Sequence, residues 1–145
     1  MGDEMTGLTR LPDWRRQFET AIDEIKAKPF SWYDHDCGPG LAGRLVKAQT
    51  GVDLTGFVVG RYHDAASAAR LIRDLGFETL GGLVASMLPV IHPSEARVGD
   101  IAAIDVGGPI GHALGVVNGE RIFVLGETGI GTVDLLDAAM CFKVG

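Results

Sequence analysis

Cysteine is scarce in this chain. Cys37 and Cys141 are the two in 145 residues, far apart and in unlike surroundings, which argues against a disulfide framework or a thiolate zinc site. The fold must therefore stand on its hydrophobic core. Basic charge is also short: 13 Lys and Arg against 19 Asp and Glu give a formal charge of −6. Nucleic acid and anionic membrane surfaces are held mainly by Lys and Arg, so neither is expected as a primary partner. Long apolar runs are missing too. The longest, Leu80 to Ile91, is broken by Gly81, Gly82 and Pro89 and falls well short of the roughly 20 apolar residues a membrane-spanning helix needs. Membrane insertion is not expected. The first 30 residues carry Asp3, Glu4, Arg10, Asp13, Arg15, Arg16 and Glu19 and no apolar signal core, so the chain is expected to be made in, and start from, a cytoplasm. What is present, 46% hydrophobic and 22% charged residues, is the composition of one compact domain spanning 1–145.

Along the chain, a helical part of about 1–95 precedes a strand-rich part of about 96–145. Trp14, Phe18, Ile22 and Ile25 recur at helical spacing after Pro12-Asp13, and Lys28-Pro29 closes that helix, giving 13–27. A second helix is expected from Cys37 or Gly38 to Gln49, ended by Thr50-Gly51. Asp64 should cap a third, carrying Ala65, Ala68, Ala69, Ile72 and Leu75, which Gly76 stops. A short helix should cover Leu80 to Leu88. After Pro93 the pattern turns to β-rich runs at Asp100–Val106, Ala113–Val117, Arg121–Leu125 and about Met140–Val144. Asn118-Gly119 is the strongest hairpin signal. Hairpin-joined strands after a helical half predict an α+β domain, N-terminal helices packed on a small antiparallel sheet.

Cys37 carries the chemistry. It stands where a helix should begin, facing unpaired backbone N–H groups and the positive end of the helix dipole, both of which favour thiolate over thiol. Cys141 lies in the apolar run Ala138-Ala139-Met140-Cys141-Phe142 and should be buried and inert. His35, between Asp34 and Asp36, reads as a solvated loop residue, as do His63 and His92. Asp36 reads as a hydrogen-bonding scaffold for the turn before the thiol. No histidine pair has helical ligand spacing, so neither a metal nor a cofactor is expected.

Trp32, Asp36-Cys37, Gly99-Asp100 and Gly111-His112-Ala113-Leu114-Gly115-Val116-Val117 follow one another in that order. The order resembles that of the NlpC-type cysteine peptidases, compact papain-like enzymes of the bacterial cell wall. The match is closer still to an uncharacterised phage and prophage branch related to gene-transfer-agent peptidases, through Leu11-Pro12-Asp13-Trp14, Pro29-Phe30-Ser31-Trp32, Thr50-Gly51-Val52-Asp53 and Gly60-Arg61-Tyr62. The resemblance implies a papain-like fold, Cys37 as nucleophile, His112 as general base and a peptide amide of peptidoglycan as substrate. It also implies assembly into a virion tail, with tail-tip proteins and peptidoglycan as partners.

The chain departs from that family in four places. Counted back from Gly115, the family histidine falls on Ala113, with His112 one residue early, and in a regular strand such a slip moves a side chain to the opposite face. His112 would then miss the thiol unless a bulge in Gly107–Gly111 re-aims it. The next strand offers Val124 and Leu125 where an orienting polar residue belongs, with Glu127 and Thr128 just beyond. Phe30 takes the place of an assisting tyrosine, and Tyr33 that of the glycine after Trp32. Oxyanion binding would fall to the Cys37 N–H, Pro39 having removed a further donor. Two function classes follow: a wall peptidase at the tail tip, or an adaptor of the same fold whose chemistry has decayed.

Overall fold

In the computed structural model, residues 8–27, 37–56, 58, 61–108, 110–126 and 129–145 are described, Cys37–Pro39 by backbone alone. The first helix, α1, runs Trp14–Lys26 and buries Phe18, Ala21, Ile22 and Ile25, the face its spacing foretells. Asp13 opens it without capping the backbone; its carboxylate accepts Arg16 and Gln17 side chains instead, both at 3.0 Å.

The expected helix from Cys37 is present in two parts. Cys37–Gly43 is wound as a π-helix and Arg44–Thr50 continues as α2. Cys-Gly-Pro-Gly-Leu-Ala-Gly is a poor α-helical sequence, since proline lacks a donor and each glycine weakens the ladder, and single wide turns of this kind occur often at functional sites. Gly51, at φ 79°, stops α2 as expected. Asp64 caps α3 (Ala65–Asp74) through a reciprocal box: its carboxylate accepts Ser67 N–H at 2.7 Å while its own N–H donates to Ser67 Oγ at 3.1 Å. The fourth helix, α4, spans Leu80–Ala85 and stops short of Leu88.

Among the described residues six strands, β1 (Val90–Ile91), β2 (Ile101–Gly107), β3 (Gly111–Asn118), β4 (Arg121–Gly126), β5 (Gly129–Asp134) and β6 (Ala138–Phe142), form one antiparallel sheet in the order β1-β6-β2-β3-β4-β5. β1 and β5 were not foreseen, and β6 begins and ends two residues early. The hairpin also sits one residue later than Asn118-Gly119. Asn118 pairs with Arg121, so Gly119-Glu120 is the loop, with Gly119 at φ 70° supplying the positive φ that a primed turn needs in its first position.

The main core lies between the helices and one face of the sheet. Ile25 of α1, Leu41 of the π-turn and Leu45 of α2 pack there with Ile101, Leu114, Val116 and Phe142. Ala102, Val117, Ile122 and Cys141 point to the other face, with partly buried Ile91, Ala96 and Leu135 against them.

The entry to β2 is tied to both ends of the described chain. Arg10 donates to Asp100 Oδ1 at 2.9 Å, to Val98 O at 2.9 Å and to Val144 O at 2.8 Å. Asp100 also accepts Val144 N–H at 3.0 Å and Arg97 N–H at 2.9 Å. Gly99 precedes it at φ 95°, and a β-carbon there would run into the buried Gln49 side chain. Gln49 Nε2 donates to Leu45 O and Gly99 O, which leaves its Oε1 facing Gly99 with no hydrogen-bond partner among the described residues. Glycine is thus required twice over, by φ and by space. Gly99→Ala should lower unfolding free energy in urea by roughly 2–4 kcal/mol; a loss below about 1 kcal/mol would show that this turn is not so constrained.

Candidate active site

The π-turn that starts at Cys37 and the strand that carries His112 meet across the main core. Leu41 and Ala42, one turn on from Cys37, share that core with Leu114 and Val116 of β3. Side chains two apart on a strand share a face, so His112 lies on the helix-facing side, with Leu114 and Val116. Counting back from Gly115 puts His112 on the far face unless a bulge re-aims it; the strand places it on the helix-facing side without one. Ala113 takes the far face, opposite Ile104. A register shift does occur nearby, but on the other strand: Asp105 pairs with His112 and Gly107 with Gly111, leaving Val106 as the extra residue on β2. His112 stays in regular register beyond it.

Two hydrogen bonds dock the first turn of α4 on the start of β3. Leu80 N–H donates to Ile110 O at 3.1 Å, and Gly81 N–H donates to His112 Nδ1 at 3.2 Å. The half-buried imidazole therefore satisfies one of the backbone donors that a helix N-terminus leaves without an internal partner. Asp105 stands directly across from His112 on the same face, but its exposed carboxylate turns to Gly107 N–H at 3.0 Å. Neither Gly81 nor Asp105 stood out in the sequence. A backbone donor leaves no side-chain signal, and the Asp105–His112 adjacency exists only through strand register.

β4 is apolar at the positions where an orienting polar residue would stand. Val124 belongs to the far face and Leu125 is buried in the main core. The strand runs on to Gly126, so it does not end early. Phe30, Trp32, Tyr33, Asp34, His35, Asp36, Glu127 and Thr128 lie outside the described residues, as does the side chain of Cys37. Among the described residues, no group of three or more His, Cys, Asp or Glu is placed to hold a metal ion, and no helix is long and apolar enough to cross a membrane.

A family model described as a domain of unknown function (DUF6950) matches residues 9–144. The chain belongs to the DUF6950 family. This DUF6950 match takes in Cys37, Gly81 and His112 as well as the Arg10–Asp100 clamp. Comparison with curated proteins and with solved structures gives no match.

The second cysteine serves as an internal reference for the first. Cys141 is fully buried, and burial, followed by the nearby Asp100 carboxylate, pushes its thiol up to about 11. Near neutral pH its thiolate fraction is then on the order of 10⁻⁴, and alkylation requires thiolate and access together. Iodoacetamide should label Cys37 at least about 100-fold faster than Cys141 in the folded protein, as followed by peptide mass spectrometry. Equal rates would argue against a nucleophile at position 37.

Proposed function

We propose that this protein is a papain-like cysteine hydrolase of NlpC type that cleaves a peptide amide of the bacterial wall from a position at a phage or prophage tail tip. The observation that carries the reading is the face on which His112 stands: it projects from β3 toward the side of the sheet that packs against the helix begun by Cys37. The order of Trp32, Asp36-Cys37, Gly99-Asp100 and His112 along the chain, the α+β architecture and the antiparallel sheet support the same reading.

In the proposed reaction the Cys37 thiol proton passes to His112, and the sulfur attacks the amide carbonyl. The carbon–nitrogen bond breaks, and His112 returns the proton to the departing amine. Water then cleaves the thioester, with His112 accepting its proton and passing it back to the sulfur. In this reaction the oxyanion falls to the Cys37 N–H, at the head of the π-turn, and to whatever donor lies nearby. The substrate class, the partners (tail-tip proteins and peptidoglycan) and the route from host cytoplasm to virion rest on the resemblance.

A specific observation favours the second reading, an adaptor of the same fold. His112 Nδ1 is occupied by Gly81 N–H, and β4 offers buried Leu125 where a polar orienter would help. Incubation with purified peptidoglycan separates the two. The hydrolase should release new amino termini and soluble wall peptides, whereas an adaptor releases none and is recovered bound to tail-tip proteins.

A further inference from the structure

We propose that Gly81 is the positioning residue for His112: its backbone N–H and its missing side chain together hold the imidazole with Nδ1 as acceptor and the neutral ring's proton on Nε2. The N–H lies 3.2 Å from Nδ1. A β-carbon on Gly81 would stand 2.7 Å from Nδ1, 2.9 Å from Cε1 and 3.2 Å from Met140 Sδ. The first two separations are shorter than real β-carbons tolerate, and the third is already tight on the Met140 side, so a side chain at 81 has to displace the imidazole. Gly81 is itself held: it is buried, and Leu80 N–H before it and Gly82 N–H after it are tied to Ile110 O and to Thr79 Oγ1. Because an N–H donor can approach only an unprotonated ring nitrogen, this contact selects one tautomer, as the partner of one imidazole nitrogen generally does.

The catalytic meaning of this arrangement rests on the hydrolase reading. A neutral ring has one lone pair in its plane, and here Gly81 N–H occupies it. When the Cys37 S–H bond breaks, the proton must form its new bond at Nδ1. The sulfur then becomes a thiolate, the ring an imidazolium with a proton on each nitrogen, and the Gly81 contact is given up. The Gly81 contact thus stabilises the neutral imidazole, and proton transfer to the ring is coupled to its release from α4.

Nitrogen NMR of the labelled full-length protein at about pH 8, where imidazole is ordinarily neutral, tests the positioning without reference to activity. The parent should show coupling across the hydrogen bond between the Gly81 amide and His112 Nδ1, with Nδ1 bare and Nε2 protonated. In Gly81→Ala, with the fold checked by circular dichroism, that coupling should vanish and the ring should lose its single tautomer. An Nδ1-protonated ring, or no coupling in the parent, overturns the proposal, as does a folded Gly81→Ala protein with the parent's ring spectrum. The parent measurement decides even where the variant fails to fold. Coupling in a protein that releases no wall peptide would remove the hydrolase reading and leave the positioning intact.

Discussion

Cys37→Ala and His112→Ala should each reduce release of wall peptides by the same factor, on the order of 10⁴, and the double variant should be no worse than either alone. That factor corresponds to about 5.5 kcal/mol of lost transition-state stabilisation. Equality is the informative part. A nucleophile and its base act as a unit, so deleting either removes the same covalent route, whereas two independent contributors would multiply. Both variants should fold: an alanine at 37 removes one sulfur from the head of the π-turn, and an alanine at 112 frees one backbone N–H at a helix terminus, where about 1 kcal/mol is at stake. Initial rates on purified peptidoglycan, compared with thermal midpoints, separate chemistry from folding. Activity silenced by Cys37→Ala but unchanged by His112→Ala would mean that another residue, such as His35, takes the proton. Turnover by Cys37→Ala would contradict the nucleophile itself.

The largest expected effect on stability lies at the Arg10–Asp100 clamp. The Arg10 side chain is 9% exposed and the Asp100 side chain 1%. Burial draws the guanidinium below its usual value, and the Asp100 charge works in the opposite direction. Arg10 stays charged because its natural value is so high. Asp100→Ala then leaves a largely buried cation without its counter-charge and strips acceptors from Val144 N–H and Arg97 N–H. A loss of about 3–5 kcal/mol is expected, as for other broken buried pairs, lowering the thermal midpoint by about 10 °C. Asp100→Asn keeps the shape but not the charge and should fall between. Adding Arg10→Met to Asp100→Ala should recover part of the loss, since it removes the orphaned cation. Strict additivity of the two substitutions in urea unfolding would show that the contacts are not coupled.

Sequence and structure agree where local chemistry decides and part where pairing decides. α1 and α3 were legible because Phe18, Ile22 and Ile25, or Ala68, Ala69 and Ile72, fall on one face between recognisable stops. β5 was not, because Gly129-Ile-Gly-Thr-Val-Asp134 has two glycines and weak alternation; it is a strand by virtue of its ladder with β4. The hairpin loop lies one residue later than Asn118-Gly119 because Asn-Gly is a preference of turn chemistry, while the Asn118–Arg121 pairing sets the loop. His112 shows the limit most clearly. β3 is a central strand buried on both faces from Leu114 to Val117, so its apolar residues run together and no alternation reveals which way a neighbour points. Counting from Gly115 gave one answer; packing of Leu114 and Val116 against Leu41 gives the other. Cys37 itself was found from its place before a helix, and the structure starts a helical turn at that residue, though a wider one than expected.

The distance from Cys37 Sγ to the nearer His112 ring nitrogen in a crystal structure of the protein tests the nucleophile–base pair most directly. A separation of about 3–4 Å is the result expected for such a pair at rest. A separation beyond about 6 Å, with no room for a single bridging water, would contradict it and leave His112 as a docking contact for α4.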